Sequence, residues 1–213
     1  MPPRLPRRLD CSLATLATLV ASIAIAGPLA ALEPTPAQTE GPYYPTRRPA
    51  ESDADLTRVG NGPVAIGQVL QLKGRVVDVD GAPIEAAQVE IWQTDHQGIY
   101  MHPGDRQTAK RDMAFQFYGE TRTDAGGAFA FRTILPAAYA GRPRHIHAKV
   151  TPPGGTTLTT QFYFAGDDLA RDGIASRLGK AVQRLTLVPE AASGENGSVQ
   201  AAITVVVRRA RGG

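Results

Sequence analysis

Two of the four histidines in the chain, His145 and His147, lie one residue apart in the stretch YAGRPRHIHAKV. In a β-strand, residues i and i+2 point to the same face, so the two imidazoles would be directed at one place. A His-x-His pair by itself is more often part of the polar face of an edge strand. Two imidazole nitrogens on a rigid strand are nevertheless half of a metal site, and further ligands nearby would decide between the two interpretations.

The candidates for those further ligands indicate which metal the histidine pair would hold. A carboxylate beside two histidines would suit Fe(II) or Zn(II), whereas a phenolate oxygen is a hard, anionic ligand that favours Fe(III). Tyr139 lies six residues before His145, and Tyr100 lies just beyond the stretch QVEIWQTDHQG. Either tyrosine taken alone is most simply explained by packing in the core or at its rim.

Most of the chain alternates apolar and polar residues between turn signals such as Asp80-Gly81, which predicts short β-strands. These strands and the loops between them would have to position the histidines and tyrosines. One brief helix is expected in DDLARDGIASRLG. The pattern predicts an all-β fold, an antiparallel β-sandwich with long loops. The expected strands are VLQLKGRVVDVD, AQVEIWQTD, AFAFRTIL, RHIHAKVTP, LTTQFYFAG, AVQRLTLVP and VQAAITVVV. The segment from Gly74 to Tyr139 also resembles transthyretin-like and carboxypeptidase-regulatory-like sandwiches, which makes a binding module without catalysis the alternative function.

The N-terminal segment is predicted to be a targeting signal. Residues 1–30 have a basic start and an apolar, alanine-rich run with small-residue cleavage sites, as in a secretory signal peptide. Residues 31–63, rich in proline, glycine and charge, predict an extended arm, and residues 64–213 a single catalytic β-sandwich domain. We therefore expect export to the periplasm or the medium and no membrane association once the signal is removed.

Composition narrows the functional classes further. The single cysteine, Cys11, lies within the signal, so no thiol chemistry is expected in the mature protein. The whole chain has 23 basic and 20 acidic residues, and three of the arginines lie in residues 1–30 together with one aspartate. The remaining charges nearly balance, which argues against a nucleic-acid partner.

Four segments in order resemble the intradiol ring-cleavage dioxygenases, typified by the protocatechuate 3,4-dioxygenases. The resemblance runs from about Thr35 to Val207 and includes the 39-residue separation between Tyr100 and Tyr139. The fold it implies is the intradiol dioxygenase β-sandwich. The segments that carry it are TPAQTEGPYYP, VEIWQTDHQGIYMH, TDAGGAFAFRTILPAAY, and RPRHIH followed by LTTQFYFAGD.

The resemblance implies a non-haem Fe(III) cofactor and a role for each matching residue. The implied iron ligands are Tyr100, Tyr139, His145 and His147. The implied reaction inserts O₂ between the two hydroxyl-bearing carbons of a catechol and gives a cis,cis-muconate-type diacid. Tyr139, Arg142 and Gln161 would take part in catalysis, with Tyr139 as the displaceable ligand. The arm residues implied in substrate binding are Thr39, Gly41, Pro42 and Tyr43.

Departures from the family pattern refine these expectations. Only Ala140 and Gly141 separate Tyr139 from Arg142, where the protocatechuate and catechol enzymes have a longer covering loop, so we expect a more open pocket. The shortening leaves Tyr118 and Tyr163 as alternatives to Tyr139. Arg144 replaces a usually small residue and, with Arg142, predicts a cationic substrate-binding pocket that prefers a carboxylate-bearing catechol such as protocatechuate. Because all four ligands are present, we expect a catalytic subunit that forms a homo-oligomer.

Overall fold

The computed structural model describes residues 31–192 and 197–209. The predicted signal peptide over residues 1–30 lies outside these ranges. Within the described ranges, no helix is long and apolar enough to cross a membrane.

In the part of the chain that the structure describes, nine strands form two packed sheets, which confirms the predicted all-β sandwich. One sheet has the order β4-β1-β9-β8 and the other the order β3-β2-β5-β6-β7. The strands are β1 Val69–Asp78, β2 Gln88–Trp92, β3 Tyr118–Arg122, β4 Ala128–Ile134, β5 His145–Thr151, β6 Leu158–Phe164, β7 Thr186–Leu187, β8 Glu190–Ala191 and β9 Val199–Val207. The remaining regular elements are 3₁₀ helices at Thr108–Lys110, Leu169–Arg171 and Ala175–Leu185.

The predicted antiparallel sandwich is refined in one respect, because the sheets are mixed. β1 pairs antiparallel with β4 but parallel with β9, and β6 pairs parallel with β7. Alternation of apolar and polar residues reports which face of a strand is buried, but it carries no information about strand direction. The direction of β9 is therefore set by the path of the chain between the sheets.

The core lies between the facing sheets and explains the alternation in the sequence. Leu70 and Leu72 of β1, Phe131 of β4, and Ile203 and Val205 of β9 project inward and are buried. Full burial of one such side chain contributes roughly 1.5–3 kcal/mol to the free energy of folding. The core therefore holds the strands in place, and the strands hold the residues at their ends. Other large, fully buried side chains include Ile91, Phe115, Phe162 and Phe164.

The stretch AVQRLTLVP is mostly not a strand, contrary to the prediction. A 3₁₀ helix, kinked at Gly179, runs over Ala175–Leu185, and only Thr186–Leu187 pairs with β6. Its inward-facing residues are spaced by three or four positions, because Ala175 and Leu185 are buried and Leu178 and Val182 pack against the core. This helical spacing becomes visible only when the window extends upstream of Ala181. The predicted helix in DDLARDGIASRLG corresponds to 3₁₀ turns.

The extended arm crosses the sandwich before it reaches the candidate site. Its backbone is hydrogen-bonded at Leu32 to Val79, at Thr35 to Val206, and at Gln38 to Thr159. These bonds tie residues 31–38 first to the β1–β9 sheet and then to β6. The following residues, 39–44, are thereby delivered to the N-terminal end of β5, where the two histidines lie.

Candidate active site

The two histidines begin β5, the middle strand of the five-stranded sheet. β5 lies between β2 and β6, so the interpretation of His-x-His as an edge-strand face is excluded. His145 and His147 are both buried, and their ring centroids are 4.9 Å apart. Trp92, the partner of His147 in the β2–β5 register, stacks on the His147 ring at 4.8 Å and 10°. The sheet thus fixes the position of both imidazoles and the plane of one.

Tyr100 lies in a loop after β2, and the carboxylates of Asp95 and Asp105 hold this loop by accepting hydrogen bonds from its backbone. Asp95 is fully buried, and its Oδ1 accepts hydrogen bonds from the backbone N–H groups of Gln97 and Ile99. The backbone N–H of Tyr100 donates to Asp105 Oδ2 at 2.8 Å. These side-chain acceptors replace the ladder bonds that the chain loses when it leaves the strand. The Tyr100 ring is consequently buried next to β5.

Tyr139 is presented by a tight two-residue turn. Its carbonyl accepts a hydrogen bond from the backbone N–H of Arg142 at 2.7 Å, and Ala140 and Gly141 both have positive φ, 47° and 77°. Positive φ at both central positions is the mark of a type I′ turn. The shortened connection therefore sets the Tyr139 and Arg142 side chains next to each other, at the entrance to β5.

The four predicted ligand residues form one closed cluster of rings. Tyr100 and Tyr139 have ring centroids 5.1 Å apart, and Tyr139 lies 5.5 Å from His145. The cluster closes between Tyr100 and His147 at 6.3 Å. Among residues 31–192 and 197–209, no group of three or more His, Cys, Asp or Glu side chains could hold a metal ion. A metal at this cluster would therefore need the phenol oxygens as ligands.

The two alternative tyrosines are engaged elsewhere. The Tyr118 ring packs in the same buried cluster as Tyr100 and Trp92, but its hydroxyl donates to Glu90 Oε2 at 2.9 Å. Tyr163 lies near His145, with 6.3 Å between ring centroids, but its hydroxyl donates to Gln38 Oε1 at 2.6 Å. Tyr139 instead lies within 6 Å of both Tyr100 and His145, so geometry favours Tyr139 over either alternative.

The electrostatics of the cluster suit a cation. Burial, together with the neighbouring Arg142 charge, lowers the pKa of His145 to about 4, and burial lowers the pKa of His147 well below its usual value. Both imidazoles are therefore neutral at pH 7. The Nδ1 atom of His145 donates to the Pro143 carbonyl at 2.7 Å, which leaves the lone pair on Nε2, 3.0 Å from Arg142 Nη1. Burial, reinforced by nearby Tyr139, raises the pKa of Tyr100, so that phenol ionises only beside a positive charge.

Unsatisfied polar atoms indicate that the cluster fits a metal ion. The Tyr100 hydroxyl and His147 Nδ1 are both buried without a hydrogen-bond partner. A buried polar group without a partner costs roughly 1–3 kcal/mol, and a ligand bond to Tyr100 would remove that cost. Two phenol oxygens and two imidazole nitrogens are a hard-to-borderline donor set. The residues present therefore fit Fe(III).

Arg142 is held beside the cluster by an acidic residue that the sequence analysis missed. Its Nε and Nη2 atoms donate to Asp172 Oδ1 and Oδ2 at 2.9 and 3.0 Å, and Nη2 also donates to Gln161 Oε1 at 2.9 Å. Its Nη1 lies 3.0 Å from His145 Nε2. Burial opposes ionisation of Asp172, but hydrogen bonds from Arg142 and from the backbone outweigh it and keep the pKa of this carboxyl below its usual value. Arg142 and Gln161 are thus brought together at the cluster.

Arm residues cover one side of the cluster. Gly41 has a φ of 75°, and a Cβ atom on it would lie 3.2 Å from His147 Cε1, so only glycine fits this approach without strain. Pro42 follows, and the Tyr43 ring stacks on Tyr100 with 4.6 Å between centroids. These arm residues belong to the same chain as the histidines they cover.

The arm is fixed there through β6. The Thr39 carbonyl accepts a hydrogen bond from Gln161 Nε2 at 3.2 Å. Gln38 Nε2 donates to the Thr160 hydroxyl at 3.0 Å and its Oε1 accepts from Tyr163. Because Gln161 also bonds Arg142, one side chain connects the arm to the guanidinium. Gln38 is a second positioning residue that sequence patterns did not identify.

Arg144 lies farther from the ring cluster and is paired. Its guanidinium bonds Asp167, with Nη2 to Oδ1 at 2.7 Å, and lies over the Phe164 ring at 5.4 Å. A cavity of about 790 Å³ opens beside Tyr139 and Arg142 and extends to Arg144 and Asp167. Of the four ring-cluster residues, Tyr139 lines this cavity, together with the turn residues Ala140 and Gly141.

We predict that Gly98→Ala will destabilise the protein through the Tyr139 segment. Gly98 has a φ of 81°, and a Cβ atom on it would lie 2.5 Å from the Ala138 carbonyl oxygen. We expect a loss of about 3 kcal/mol in the free energy of unfolding, measured by denaturant titration. Gly141→Ala is the control: its φ is 77° but no atom lies within 4 Å of the added Cβ, so only the conformational cost of about 1 kcal/mol applies. Equal losses for both variants would contradict the contact.

Comparison with known proteins agrees with this geometry. A family model described as Dioxygenase matches residues 39–207. The chain is 38% identical to a protocatechuate 3,4-dioxygenase beta chain from Burkholderia cepacia, over 60% of this chain and 58% of the relative. It is 34% identical to a catechol 1,2-dioxygenase from Acinetobacter baylyi, over 66% of this chain and 50% of the relative. The chain thus spans little more than half the length of these curated relatives.

Solved structures give the same result. The dioxygenase domain of a dioxygenase–carbohydrate-binding protein fusion from Streptomyces sp. SirexAA-E superposes with a TM-score of 0.66 at 30% identity, covering 84% of this chain and all of that domain. The 3-chlorocatechol 1,2-dioxygenase from Rhodococcus opacus 1CP superposes with a TM-score of 0.64 at 25% identity, covering 82% and 73%. The chain belongs to the intradiol ring-cleavage dioxygenase family.

Proposed function

We propose that this chain is a non-haem Fe(III) intradiol dioxygenase that cleaves a catechol with O₂ between its two hydroxyl-bearing carbons. The product would be a cis,cis-muconate-type diacid. The observation that carries the proposal is the closed cluster of Tyr100, Tyr139, His145 and His147, in which the Tyr100 hydroxyl is buried without a partner. Membership of the family supports the assignment of iron to this cluster.

Iron bound at the four rings would supply Lewis-acid activation of the catechol toward O₂. Around it, each residue of the chain has a separate task. Tyr139, half-buried at the turn, would be held as a phenolate and could take up one proton from an incoming diol, becoming a neutral phenol. Arg142, fixed by Asp172 and Gln161, presents a positive charge where negative charge moves through the ring.

The arm contributes to substrate binding and to water exclusion. Tyr43 stacks on Tyr100, and Gly41 allows the arm to approach His147 closely. A flat aromatic diol would enter between these residues and Arg142. The alternative function, a binding module without catalysis, accounts for the sandwich but gives no role to the buried rings or to the Arg142–Asp172 pair.

The function is tested with the purified protein reconstituted with iron. We expect consumption of one O₂ per catechol and a diacid product that carries both atoms of ¹⁸O₂, measured by an oxygen electrode and by mass spectrometry. A panel of catechol, protocatechuate and hydroxyquinol covers the family's substrate range. No oxygen consumption with any of them, or cleavage beside the hydroxyl-bearing carbons, would contradict the proposal.

We further propose that the protein is exported and forms a homo-oligomer. The export proposal rests on the basic and apolar pattern of residues 1–30. We expect the mature protein to begin between Gly27 and Leu32, as measured by intact mass of the periplasmic or secreted fraction. Recovery of the full chain from the cytoplasm alone would contradict export. Light scattering of the same fraction gives the oligomeric state, and a monomer would contradict the proposed homo-oligomer.

A further inference from the structure

The cavity beside the candidate active site has a charge pattern that bears on the substrate. Three arginines line it, and each is paired with an aspartate close to it in the fold. The pairs are Arg142–Asp172, Arg144–Asp167 and Arg171–Asp168. Because three positive charges are paired with three negative charges, the net charge of these six side chains is zero.

The Arg144–Asp167 pair lines the cavity together with Tyr139 and Arg142, so a ring substituent that extends from the site into the cavity would meet this pair. Asp167 Oδ1 accepts from Nη2 and Nε of Arg144 at 2.7 and 3.1 Å, and its Oδ2 accepts from the Arg144 backbone N–H at 3.0 Å. The side chains are 33% and 16% exposed, so the pair is partly desolvated. A substrate carboxylate could bond Arg144 only by displacing Asp167. The Asp167 carboxylate would then be left without its cation.

The other two arginines offer a substrate carboxylate no strong, desolvated contact either. The donors of Arg142 are directed to Asp172, Gln161 and His145, and the Asp172 side chain is only 3% exposed. Arg171 is 90% exposed and pairs with Asp168 three residues before it, an arrangement that solvent screens strongly.

The rest of the cavity lining is small and uncharged. Ala137, Ala138, Ala140, Gly141 and Pro143 line it between the turn and the arginines. The volume of about 790 Å³ lies within the range of clefts that bind small organic molecules. A neutral ring substituent therefore finds room there and displaces no ion pair.

We infer that the substrate is a catechol whose ring substituent is uncharged, and that Asp167 sets this preference by occupying Arg144. The inference rests on the proposed function and names the substrate class of the same site. It reverses the carboxylate preference that Arg142 and Arg144 predict from sequence alone. In the folded chain, the aspartates that neutralise them come from the segment after β6, which the arginine spacing does not reveal.

Matched substrates test the inference. 3,4-Dihydroxybenzoate and 3,4-dihydroxybenzamide differ little in size but differ in charge. We expect the native protein to favour the benzamide in kcat/KM by at least about fivefold. Asp167→Asn should move the ratio about tenfold toward the benzoate, because Arg144 then carries an unpaired charge. Arg144→Met should move it the other way, because Asp167 then repels the benzoate.

A binding measurement without turnover accompanies the kinetics. Titration calorimetry with 4-hydroxybenzoate and 4-hydroxybenzamide should show the same shifts in relative affinity for both variants. Asp168→Asn is the control and should change the ratio less than about twofold, since its pair with Arg171 is exposed. Turnover of both compounds with a native preference for the benzoate, or a ratio unchanged in Asp167→Asn, would overturn the inference alone. Absence of turnover with every catechol would instead overturn the proposed function.

Discussion

Replacement of His147 by alanine is expected to remove most of the iron and nearly all of the activity. His147 lies in the middle strand of its sheet and closes the ring cluster opposite Tyr139. Loss of even an outer hydrogen-bond partner of a metal ligand typically costs 10–100-fold in metal affinity, and loss of a ligand should cost more than about 100-fold. Metal analysis and the visible absorption of the Fe(III)–phenolate group measure the effect.

Two controls separate ligand loss from misfolding. His96→Ala removes a histidine that lies in the loop before Tyr100 but makes no ring contact with the cluster, and it should keep both iron and colour. Circular dichroism should show that His147→Ala retains its sheets, although Trp92 loses its stacking partner. A folded His147→Ala protein that is coloured and fully iron-loaded would show that the ligands are assigned wrongly.

Replacement of Arg142 by methionine is expected to lower kcat by about 10²–10³ while iron is retained, because in the proposed reaction the guanidinium would stabilise the substrate's charge and would not be a ligand. The same change leaves the Asp172 carboxylate without its cation. Because the Asp172 side chain is only 3% exposed, the unpaired charge should destabilise the fold by about 3–5 kcal/mol. Catalytic and structural effects would therefore be mixed in the single variant. Steady-state kinetics, iron content and denaturant unfolding have to be measured together.

The double variant Arg142→Met/Asp172→Asn resolves the two effects. Removing both charges should recover most of the stability and none of the turnover, because the buried carboxylate no longer lacks a partner. In Asp172→Asn alone, Arg142 should stay in position through its hydrogen bond to Gln161. This variant should therefore lower kcat less than Arg142→Met does. If the double variant regains native turnover, Arg142 has only a structural role.

The sequence predicted the parts of the site that depend on local spacing. His145 and His147 share a face because a strand has a two-residue period, and Tyr139 is next to Arg142 because only a two-residue turn separates them. Tyr100 required the family resemblance, since nothing local to QVEIWQTDHQG shows that its loop folds back onto β5.

What sequence reasoning missed depends on contacts between distant segments. Asp172 and Asp167 neutralise two arginines from a segment more than 20 positions away, and such pairing has no sequence period. The parallel pairing of β1 with β9 is likewise a property of the whole chain path. The second half of the 3₁₀ helix over Ala175–Leu185 was missed because a short window of alternating residues was interpreted as a strand without its neighbours.

The most direct measurement is resonance Raman spectroscopy of the iron-reconstituted protein, excited within its visible absorption band. We predict tyrosinate ring vibrations from two ligands, with Tyr100→Phe and Tyr139→Phe each removing one of the two sets. Tyr118→Phe, whose hydroxyl bonds Glu90 instead, should leave both sets unchanged. Spectra without tyrosinate vibrations, or vibrations that persist unchanged in both Tyr100→Phe and Tyr139→Phe, would contradict an iron centre held by these residues.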